Sequence, residues 1–384
     1  MTLIKSISGI RGTIGGKSGD TLSPIDIVRF SSAYGSWLLN AGHSPKVIIG
    51  RDARTTGAMI TQLVATTLQA QGIDVIDLGL STTPTVEMMV VEAQAGGGII
   101  ITASHNPAQW NALKLLNAQG EFISQEDSLK ILEASELEAF EYVEPKKIGS
   151  LSQDDTALDR HIEQILALEL VDQAAIAEKE FKVIIDCVNS SGGIALPKLL
   201  KALGVKEIKE MYCEPNGQFP HNPEPLPENL TDISRELEKG GFDLGFVVDP
   251  DVDRLALVCE DGSMFGEEYT LVAVADYILQ HNPGPTVSNL SSTRALKDIT
   301  QKAGQVYEAS AVGEVNVVKK MKETGAVIGG EGNGGIIYPE LHYGRDALVG
   351  IALFLSHLAK FNRPISALKS TYPQYQISKN KISL

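Results

Sequence analysis

A single serine stands where a predicted strand ends, in a setting that suits phosphate chemistry. Residues 96–101 are rich in glycine and isoleucine and predict a buried strand. Residues 102–107, Thr-Ala-Ser-His-Asn-Pro, predict the turn that follows. Ser104 therefore lies at the carboxyl end of a strand, where α/β enzymes place reacting groups. His105 adds a hydrogen-bonding ring, although a polar turn without function explains this segment equally well when it is taken alone.

Three carboxylates alternate along residues 249–254, Asp-Pro-Asp-Val-Asp-Arg, directly after an apolar run. Crowding Asp249, Asp251 and Asp253 together is costly unless a cation neutralises them. Mg²⁺ is bound by a few carboxylates together with a phosphate oxygen. The loop lacks the correctly placed glycine and glutamate of an EF-hand. The segment therefore predicts a Mg²⁺ site, with a solvated acidic turn as the alternative.

Five glycines occur within residues 329–335, Gly-Gly-Glu-Gly-Asn-Gly-Gly. Glycine lets a backbone approach a ligand closely, and Glu331 and Asn333 offer hydrogen-bond acceptors and donors. The glycine spacing is not that of a dinucleotide-binding or P-loop fingerprint. The segment predicts either a ligand-recognition loop or a hairpin turn.

In their order and separation these three segments resemble the loops of the α-D-phosphohexomutase family, and the resemblance runs from about residue 6 to the end of the chain. Shorter matches lie at 9–12, 50–54 and 219–225. The serine loop resembles the family's phosphoserine loop, the aspartate segment its Mg²⁺ loop, and the glycine-rich segment its sugar-recognition loop.

The resemblance implies a role for each candidate residue. Ser104 would carry a phosphate and would bind Mg²⁺ together with the three aspartates. Lys114 would be the general acid/base, with Arg11 lowering its pKa, and His105 would orient the phosphate. A solvated strand lysine is the alternative for Lys114. The residues implied in substrate binding are Arg254, Glu314, Glu331 and Asn333.

The implied reaction moves phosphate between positions 6 and 1 of a hexose or hexosamine phosphate. A sugar 1,6-bisphosphate would be both its intermediate and its activator. Asn333 and Gly335 replace the serine and histidine that are frequent in the family's sugar loop. Glu314 stands where mannose- and glucose-type members often have a histidine, and residues 288–290 also resemble the glucosamine subgroup. A phosphoglucosamine mutase activity is favoured; the alternatives are a phosphomannomutase/phosphoglucomutase and a non-catalytic sugar-phosphate-binding protein.

The net charge and the absence of long apolar runs limit the kinds of partner and location that we expect for this protein. The chain has 384 residues and a net charge of −15, which argues against nucleic acid as the main partner. An anionic substrate then requires local cations, for which the candidates are Arg11, Lys114, Arg254 and Arg345. The start of the chain has no secretion signal, and no run of 18 uncharged apolar residues predicts a membrane span. We expect a cytoplasmic protein in which Cys187, Cys213 and Cys259 are free thiols.

Strand-like and helix-like segments alternate in three successive blocks. This pattern predicts an α/β fold of tandem mixed-sheet domains covered by helices. The predicted strands cover 46–50, 74–79, 97–102, 182–187, 206–211, 243–248, 286–289 and 326–330. The predicted helices cover 24–41, 57–71, 193–203, 228–239, 266–281 and 345–360.

The predicted domains are 1–153 with the serine loop, 154–258 with the aspartate loop, and 259–372 with the sugar loop. Two charged segments, 134–147 and 259–267, are the predicted seams between them. The family's fourth domain, with its phosphate-binding loop, would begin where this chain ends, so residues 373–384 are predicted to be a stub and that domain to be absent. Either the chain is truncated there or the protein lacks the usual phosphate clamp, and both alternatives remain open.

Overall fold

Three β-sheets, each with parallel and antiparallel strands, carry the described chain. The computed structural model describes residues 1–6 and 9–375. The predicted fold class, tandem α/β domains with mixed sheets, is confirmed. No helix within these ranges has the length and apolar character that crossing a membrane requires.

The first sheet has seven strands, and four helices surround it. The strands are β1 (Ile4–Ser6), β2 (Gly9–Thr13), β3 (Lys46–Arg51), β4 (Asp74–Leu80), β5 (Gly97–Ile101), β6 (Trp110–Leu116) and β7 (Leu151–Gln153). They lie in the order β1-β2-β6-β5-β3-β4-β7, and β5, β3, β4 and β7 run parallel. The helices are α1 (Pro24–Asn40), α2 (Gly57–Ala70), α3 (Thr83–Glu92) and α4 (Gln125–Leu137). Because β3 and β5 are parallel neighbours, their carboxyl ends meet at one edge of the sheet.

The second and third sheets have four strands each. The second contains β8 (Lys182–Asp186), β9 (Glu207–Met211), β10 (Leu244–Val248) and β11 (Leu255–Cys259), in the order β11-β10-β8-β9. The third contains β12 (Thr286–Asn289), β13 (Tyr307–Ser310), β14 (Ile328–Glu331) and β15 (Gly335–Ile337), in the order β13-β12-β14-β15. The remaining helices are α5 (Ala157–Leu166), α6 (Gln173–Glu178), α7 (Gly192–Ala202), α8 (Thr231–Glu238), α9 (Glu267–His281), α10 (Ala295–Lys302), α11 (Glu314–Thr324), α12 (Ala347–Phe361) and α13 (Ile365–Lys369).

One hydrophobic core joins the second and third sheets around α12. All thirteen residues from Ala347 to Ala359 are buried, which is typical of a helix that is apolar on every side. The Phe354 ring packs edge-on against Phe246 at 6.4 Å and Phe265 at 5.6 Å between ring centroids. Truncating such an aromatic side chain to alanine typically costs about 3–5 kcal/mol. Strand β10 and its following loop are thereby anchored to the segment that carries α12.

The predicted strands and helices are present, with ends shifted by a few residues. The predicted helix 228–239 begins only at Thr231, because Pro227–Asn229 form a 3₁₀ turn. Among the elements that were not predicted, α3 bears most on the site. Every residue of α3 from Thr83 to Val90 is buried, so the segment lacks the alternation of polar and apolar faces by which a helix is recognised.

The first predicted seam, 134–147, begins inside a helix. Residues 134–137 belong to α4, which packs beside α1, and Trp37 Nε1 donates to Asp127 Oδ1 at 3.1 Å between the two helices. Glu136 is the charged residue of this stretch of α4, and it is exposed. The second seam, 259–267, connects β11 with α9. The domain limits stay predictions, and residues 376–384 of the predicted stub lie outside the described residues.

Candidate active site

The Ser104 hydroxyl points from the end of β5 toward the aspartate loop. Ser104 has φ of 48°, a left-handed conformation that is unfavourable for a residue with a side chain and is common at functional turns. Its backbone N–H donates to Thr102 Oγ1 at 2.9 Å, and its Oγ donates to Asp249 Oδ2 at 2.7 Å. The serine and aspartate loops, 145 residues apart in sequence, therefore meet directly.

A buried arginine, Arg54, holds the serine loop in this conformation. Its guanidinium donates to the main-chain carbonyls of Ser104 at 2.5 Å, Asn106 at 2.6 Å, Pro107 at 2.6 Å and Trp110 at 3.1 Å. Nε of Arg54 donates to Asp52 Oδ2 at 3.0 Å, and both side chains are fully buried. Hydrogen bonds from a charged group are worth about 1.5–3 kcal/mol each, so Arg54 stabilises the turn around the hydroxyl.

The sequence assigned no role to Arg54, although the segment 50–54 was noted for its resemblance. The order of the predicted strands could have indicated that Arg54 lies near Ser104. Asp52 and Arg54 directly follow β3, the parallel neighbour of β5, and so lie at the same sheet edge as Ser104.

The three aspartates converge after β10. Asp249, Asp251 and Asp253 are fully buried, and one carboxylate oxygen from each lies within 4.8 Å of the others. Asp249 Oδ1 accepts the backbone N–H groups of Asp253 and Arg254, both at 3.2 Å. Burial, together with the charges of Asp253 and Asp251, raises the pKa of Asp249 well above its ordinary value. Among the described residues, Oδ1 of Asp251 and Oδ1 of Asp253 have no hydrogen-bond partner, so this cluster of oxygens fits a divalent cation.

Lys114 binds two of these aspartates. Its Nζ lies 2.6 Å from Asp251 Oδ2 and 3.1 Å from Asp253 Oδ2. Burial lowers the pKa of Lys114, but the two carboxylates outweigh burial and hold it above its ordinary value. The role of Arg11 in lowering this pKa stays a prediction, and the charges nearest to Lys114 are negative. Arg11 pairs with Ala112 across β2 and β6, so its side chain shares one sheet face with Lys114.

Arg345 links the aspartate loop to the predicted substrate residues. It donates to Asp253 Oδ2 at 2.7 Å, Glu314 Oε2 at 2.8 Å and Glu331 Oε2 at 3.0 Å. Burial raises the pKa of Glu314 to about 7, and Arg345 opposes that rise. The sequence named Arg345 only as a candidate source of positive charge. Only the folded chain shows that Arg345 binds three carboxylates from separate segments.

A cavity of about 580 Å³ opens onto these groups. It has the size of a small-molecule site, and four of its lining side chains are cationic. The predicted site residues that line it, with Arg345, are Arg11, Ser104, His105, Lys114, Arg254, Glu314, Glu331 and Asn333. The three aspartates contact this set through Ser104, Lys114 and Arg345.

Three of the lining side chains have polar groups turned toward the site. His105 Nδ1 lies 3.4 Å from Ser104 Oγ, and burial together with the charge of Arg254 lowers the pKa of His105 to about 3, so its ring is neutral at physiological pH. Arg254 Nη1 lies 3.6 Å from Glu224 Oε1, and within the described residues its buried Nε has no hydrogen-bond partner. Asn333 Oδ1 accepts the Gly335 N–H at 3.2 Å.

Three consecutive models of the phosphoglucomutase/phosphomannomutase family match the chain. The family's α/β/α domain I matches residues 3–141, domain II residues 159–262 and domain III residues 266–375. The chain therefore belongs to the phosphoglucomutase/phosphomannomutase family, and the predicted phosphohexomutase membership is confirmed.

Relatives with known names cover nearly the whole chain. A phosphoglucomutase/phosphomannomutase of Thermococcus kodakarensis is 33% identical over 375 residues, which are 96% of this chain and 81% of that protein. A phosphoglucosamine/phosphogalactosamine mutase of Sulfurisphaera tokodaii is 29% identical over 384 residues, covering 98% and 82% of the two chains. The crystal structure of a phosphoglucomutase/phosphomannomutase family protein from Burkholderia thailandensis is similar with a TM-score of 0.84 at 29% identity, covering 97% and 81%. The chain is thus an enzyme of the mutase class with phosphohexomutase activity, and its relatives' names include both substrate types.

Proposed function

We propose that this enzyme moves phosphate between positions 6 and 1 of an amino-hexose phosphate through a phosphoserine at Ser104. The observation that carries the proposal is the contact between Ser104 Oγ and Asp249 Oδ2 at 2.7 Å, at the wall of a cavity lined by four cations. A covalent carrier divides a difficult transfer into two easier ones. The left-handed turn held by Arg54 keeps that carrier in one orientation.

Asp249, Asp251, Asp253 and the Ser104 phosphate are the groups that would hold Mg²⁺. Two buried aspartate oxygens without hydrogen-bond partners among the described residues support this choice, as does the preference of Mg²⁺ for carboxylate and phosphate oxygens. When bound, the ion would neutralise charge on the phosphoryl oxygens. The chain's own cations, Lys114 and Arg345, already hold the aspartates close together.

Lys114 is the side chain through which we propose that the proton moves. Its Nζ lies beside Asp251 and Asp253, and the residue lines the cavity with Ser104. A free hydroxyl oxygen of the sugar phosphate bonds to the phosphorus, and the bond from phosphorus to Ser104 Oγ breaks. The Lys114 ammonium donates a proton to Ser104 Oγ as that bond breaks and takes up the hydroxyl proton of the sugar in its place. The product of this step is a sugar 1,6-bisphosphate.

The second half of the cycle reverses this chemistry with the other phosphate. The bisphosphate turns round in the cavity, Ser104 Oγ bonds to the second phosphorus, and the bond from that phosphorus to the sugar oxygen breaks. Lys114 donates a proton to the sugar oxygen and takes up the proton that Ser104 Oγ loses. His105, neutral because its pKa is lowered to about 3, and Arg254 hydrogen-bond the phosphoryl oxygens during both halves. An added sugar 1,6-bisphosphate would phosphorylate Ser104 and so activate the enzyme.

An amino sugar is favoured because of Glu314. This carboxylate lines the cavity, and its pKa is raised to about 7 by burial. An ammonium group on the substrate would give Glu314 a charge-assisted hydrogen bond and would favour its ionised form. A phosphomannomutase/phosphoglucomutase activity is the second candidate, supported by the name of the Thermococcus kodakarensis relative.

The test is turnover of three substrates by the purified chain. Glucosamine, mannose and glucose 6-phosphates would be supplied separately with Mg²⁺ and a trace of the matching 1,6-bisphosphate, and the 1-phosphate followed by phosphorus NMR. We expect the highest kcat/KM with glucosamine 6-phosphate, and one phosphate on Ser104 by mass spectrometry of its peptide. Conversion of none of the three, or conversion without phosphate on Ser104, would contradict the proposal.

A further inference from the structure

A buried histidine, His161, and a partly buried one, His342, lie outside the cavity lining and contact one carboxylate oxygen. His161 Nε2 lies 2.9 Å and His342 Nε2 lies 3.4 Å from Asp346 Oδ2. One ligating atom from each of the three residues lies within 4.8 Å of the others. The imidazole rings are perpendicular, with centroids 6.3 Å apart. Two imidazole nitrogens therefore lie close to the same carboxylate oxygen.

The opposite side of each group is held by a further partner. His161 Nδ1 lies 2.9 Å from Thr85 Oγ1, and His342 Nδ1 lies 3.5 Å from Glu87 Oε2. The other oxygen of Asp346 accepts the N–H groups at the start of α12 at 2.7 and 3.3 Å. Metal-binding histidines almost always have an oxygen partner at the second ring nitrogen, which fixes the tautomer and orients the ring.

Glu87 is the second, independent observation. It is only 1% exposed, and within the described part of the chain neither of its carboxylate oxygens has a hydrogen-bond partner. Its Oε2 faces His342 at 3.5 Å. A buried carboxylate is costly unless a charge or a hydrogen bond compensates it. A cation bound by His342 would place a compensating positive charge near this buried carboxyl group.

We propose that His161, His342 and Asp346 bind a divalent transition-metal ion such as zinc, separate from the Mg²⁺ of the aspartate loop. Two imidazole nitrogens and one carboxylate oxygen suit zinc and similar metals, whereas Mg²⁺ prefers oxygen ligands. Zinc bonds of about 2.0–2.1 Å place tetrahedral ligand atoms about 3.3–3.4 Å apart, close to the 2.9 and 3.4 Å separations found here. Glu87 and Thr85 act as positioning residues.

The ion would connect segments that are remote in sequence. Thr85 and Glu87 lie on α3, His161 lies on α5, and Asp346 caps α12. These elements fall in the stretches that match family domains I, II and III. Metal binding contributes directly to the stability of the arrangement that forms the site, so the ion would stabilise the contact among the three parts of the chain.

The test uses cobalt as the probe. The purified full chain is stripped of metal with a chelator, given excess Mg²⁺ to fill the oxygen-only aspartate loop, and titrated with Co²⁺ while visible absorption is recorded. We expect one equivalent of Co²⁺ to give the intense absorption of a low-coordinate site with nitrogen ligands, and zinc to displace it. His342→Gln should abolish this absorption, and Glu87→Gln should weaken cobalt affinity about 10–100-fold.

His357→Gln is the matched control. His357 is also buried, and its Nε2 lies 3.6 Å from Asp276, so this variant should keep the full absorption. X-ray absorption spectroscopy of the zinc-loaded unmodified protein should show two imidazole ligands, and this readout does not depend on the folding of a variant. An oxygen-only shell, no cobalt absorption, or an absorption unchanged in His342→Gln would overturn the proposal.

Discussion

The aspartate loop and the histidine cluster are two buried groups of metal-binding residue types, and α3 borders both. Thr83 Oγ1 donates to Asp251 Oδ2 at 2.5 Å, and two residues further along α3 Thr85 Oγ1 lies 2.9 Å from His161 Nδ1. In the first group, lysine and arginine surround the carboxylates. In the second, two imidazoles surround a single aspartate oxygen.

The two groups differ in the atoms that could bind a metal and in the parts of the sequence that supply those atoms. The aspartate loop offers only oxygen from one six-residue segment and sits beside the Ser104 hydroxyl. The histidine cluster offers nitrogen and oxygen from two distant parts of the chain. None of its three residues lines the cavity. We therefore assign the first to the reaction and the second to the stability of the fold.

Removing the carrier hydroxyl should have the largest effect. Ser104→Ala should lower mutase turnover by about three orders of magnitude or more, because a covalent carrier has no substitute. Cobalt binding at the histidine cluster should be unchanged. The measurements are the phosphorus NMR assay and the cobalt titration, with the surface variant Ser263→Ala as control. Turnover within tenfold of the unmodified enzyme would remove Ser104 from the mechanism.

Removing the guanidinium that holds the serine loop should lower the free energy of unfolding. Arg54→Met leaves Asp52 as a buried charge without its partner, and such a loss typically costs about 3–5 kcal/mol. The free energy of unfolding would be measured by urea titration. The neighbouring Arg51→Met is the control, because Arg51 is half-buried and donates to the Asp52 carbonyl at 3.1 Å. Equal losses in the two variants would show that Arg54 has no special role.

Neutralising one aspartate should affect Mg²⁺ and spare the histidine cluster. Asp251→Asn should weaken Mg²⁺ affinity by more than the 10–100-fold typical of an outer partner, because a direct ligand is changed. Calorimetric titration with Mg²⁺ measures this, and the exposed Asp261→Asn serves as control. If Asp251→Asn also abolishes cobalt absorption while Mg²⁺ affinity is retained, the two groups do not act separately.

Changing Glu314 should discriminate among substrates. Glu314→Gln should reduce kcat/KM for glucosamine 6-phosphate by about 10–100-fold, the equivalent of a charge-assisted hydrogen bond of about 1.5–3 kcal/mol. The losses for glucose and mannose 6-phosphates should be smaller. Glu323→Gln, on the exposed face of α11, is the control. Equal losses for all three sugars would indicate that Glu314 only positions Arg345.

The smallest effect should come from a surface ion pair near the end of α3. Hydrogen bonds from Arg160 lower the pKa of Asp154 to about 2 from 3.8, and Arg160 also pairs with Glu92 at 2.6 Å. A lowered folded-state pKa adds stability above pH of about 4, which is lost as the pH falls toward 2. Because the pair is partly exposed, the gain should be only about 0.2–1 kcal/mol.

This gain is the difference in unfolding free energy between the unmodified protein and Asp154→Asn, measured from pH 5 downward. It should shrink as the pH falls, and the exposed Asp155→Asn should follow the unmodified protein. A difference that grows toward low pH would contradict the assignment.

The sequence by itself determined the fold class and the three loops, because the information for each is local. A strand followed by a turn is encoded in neighbouring residues, as are three alternating aspartates and a glycine-rich turn, so Ser104, Asp249, Asp251, Asp253 and Glu331 could be named at once. Helix α3 was not predicted from the sequence, because a helix that is buried along most of its length has no polar face to mark its period.

Only the tertiary structure decided which charges surround each group. Arg54 and Ser104 are 50 residues apart, and Lys114 and Asp251 are 137 apart, so no local pattern indicates that they meet. For that reason the charges that set the pKa of Lys114 could not be identified from the sequence: a pKa depends on distance to charges in space, and the nearest ones are carboxylates. His161, His342 and Asp346 become a cluster only when α5 and the start of α12 pack together, because long-range packing, rather than sequence spacing, brings their ligating atoms within reach of one ion.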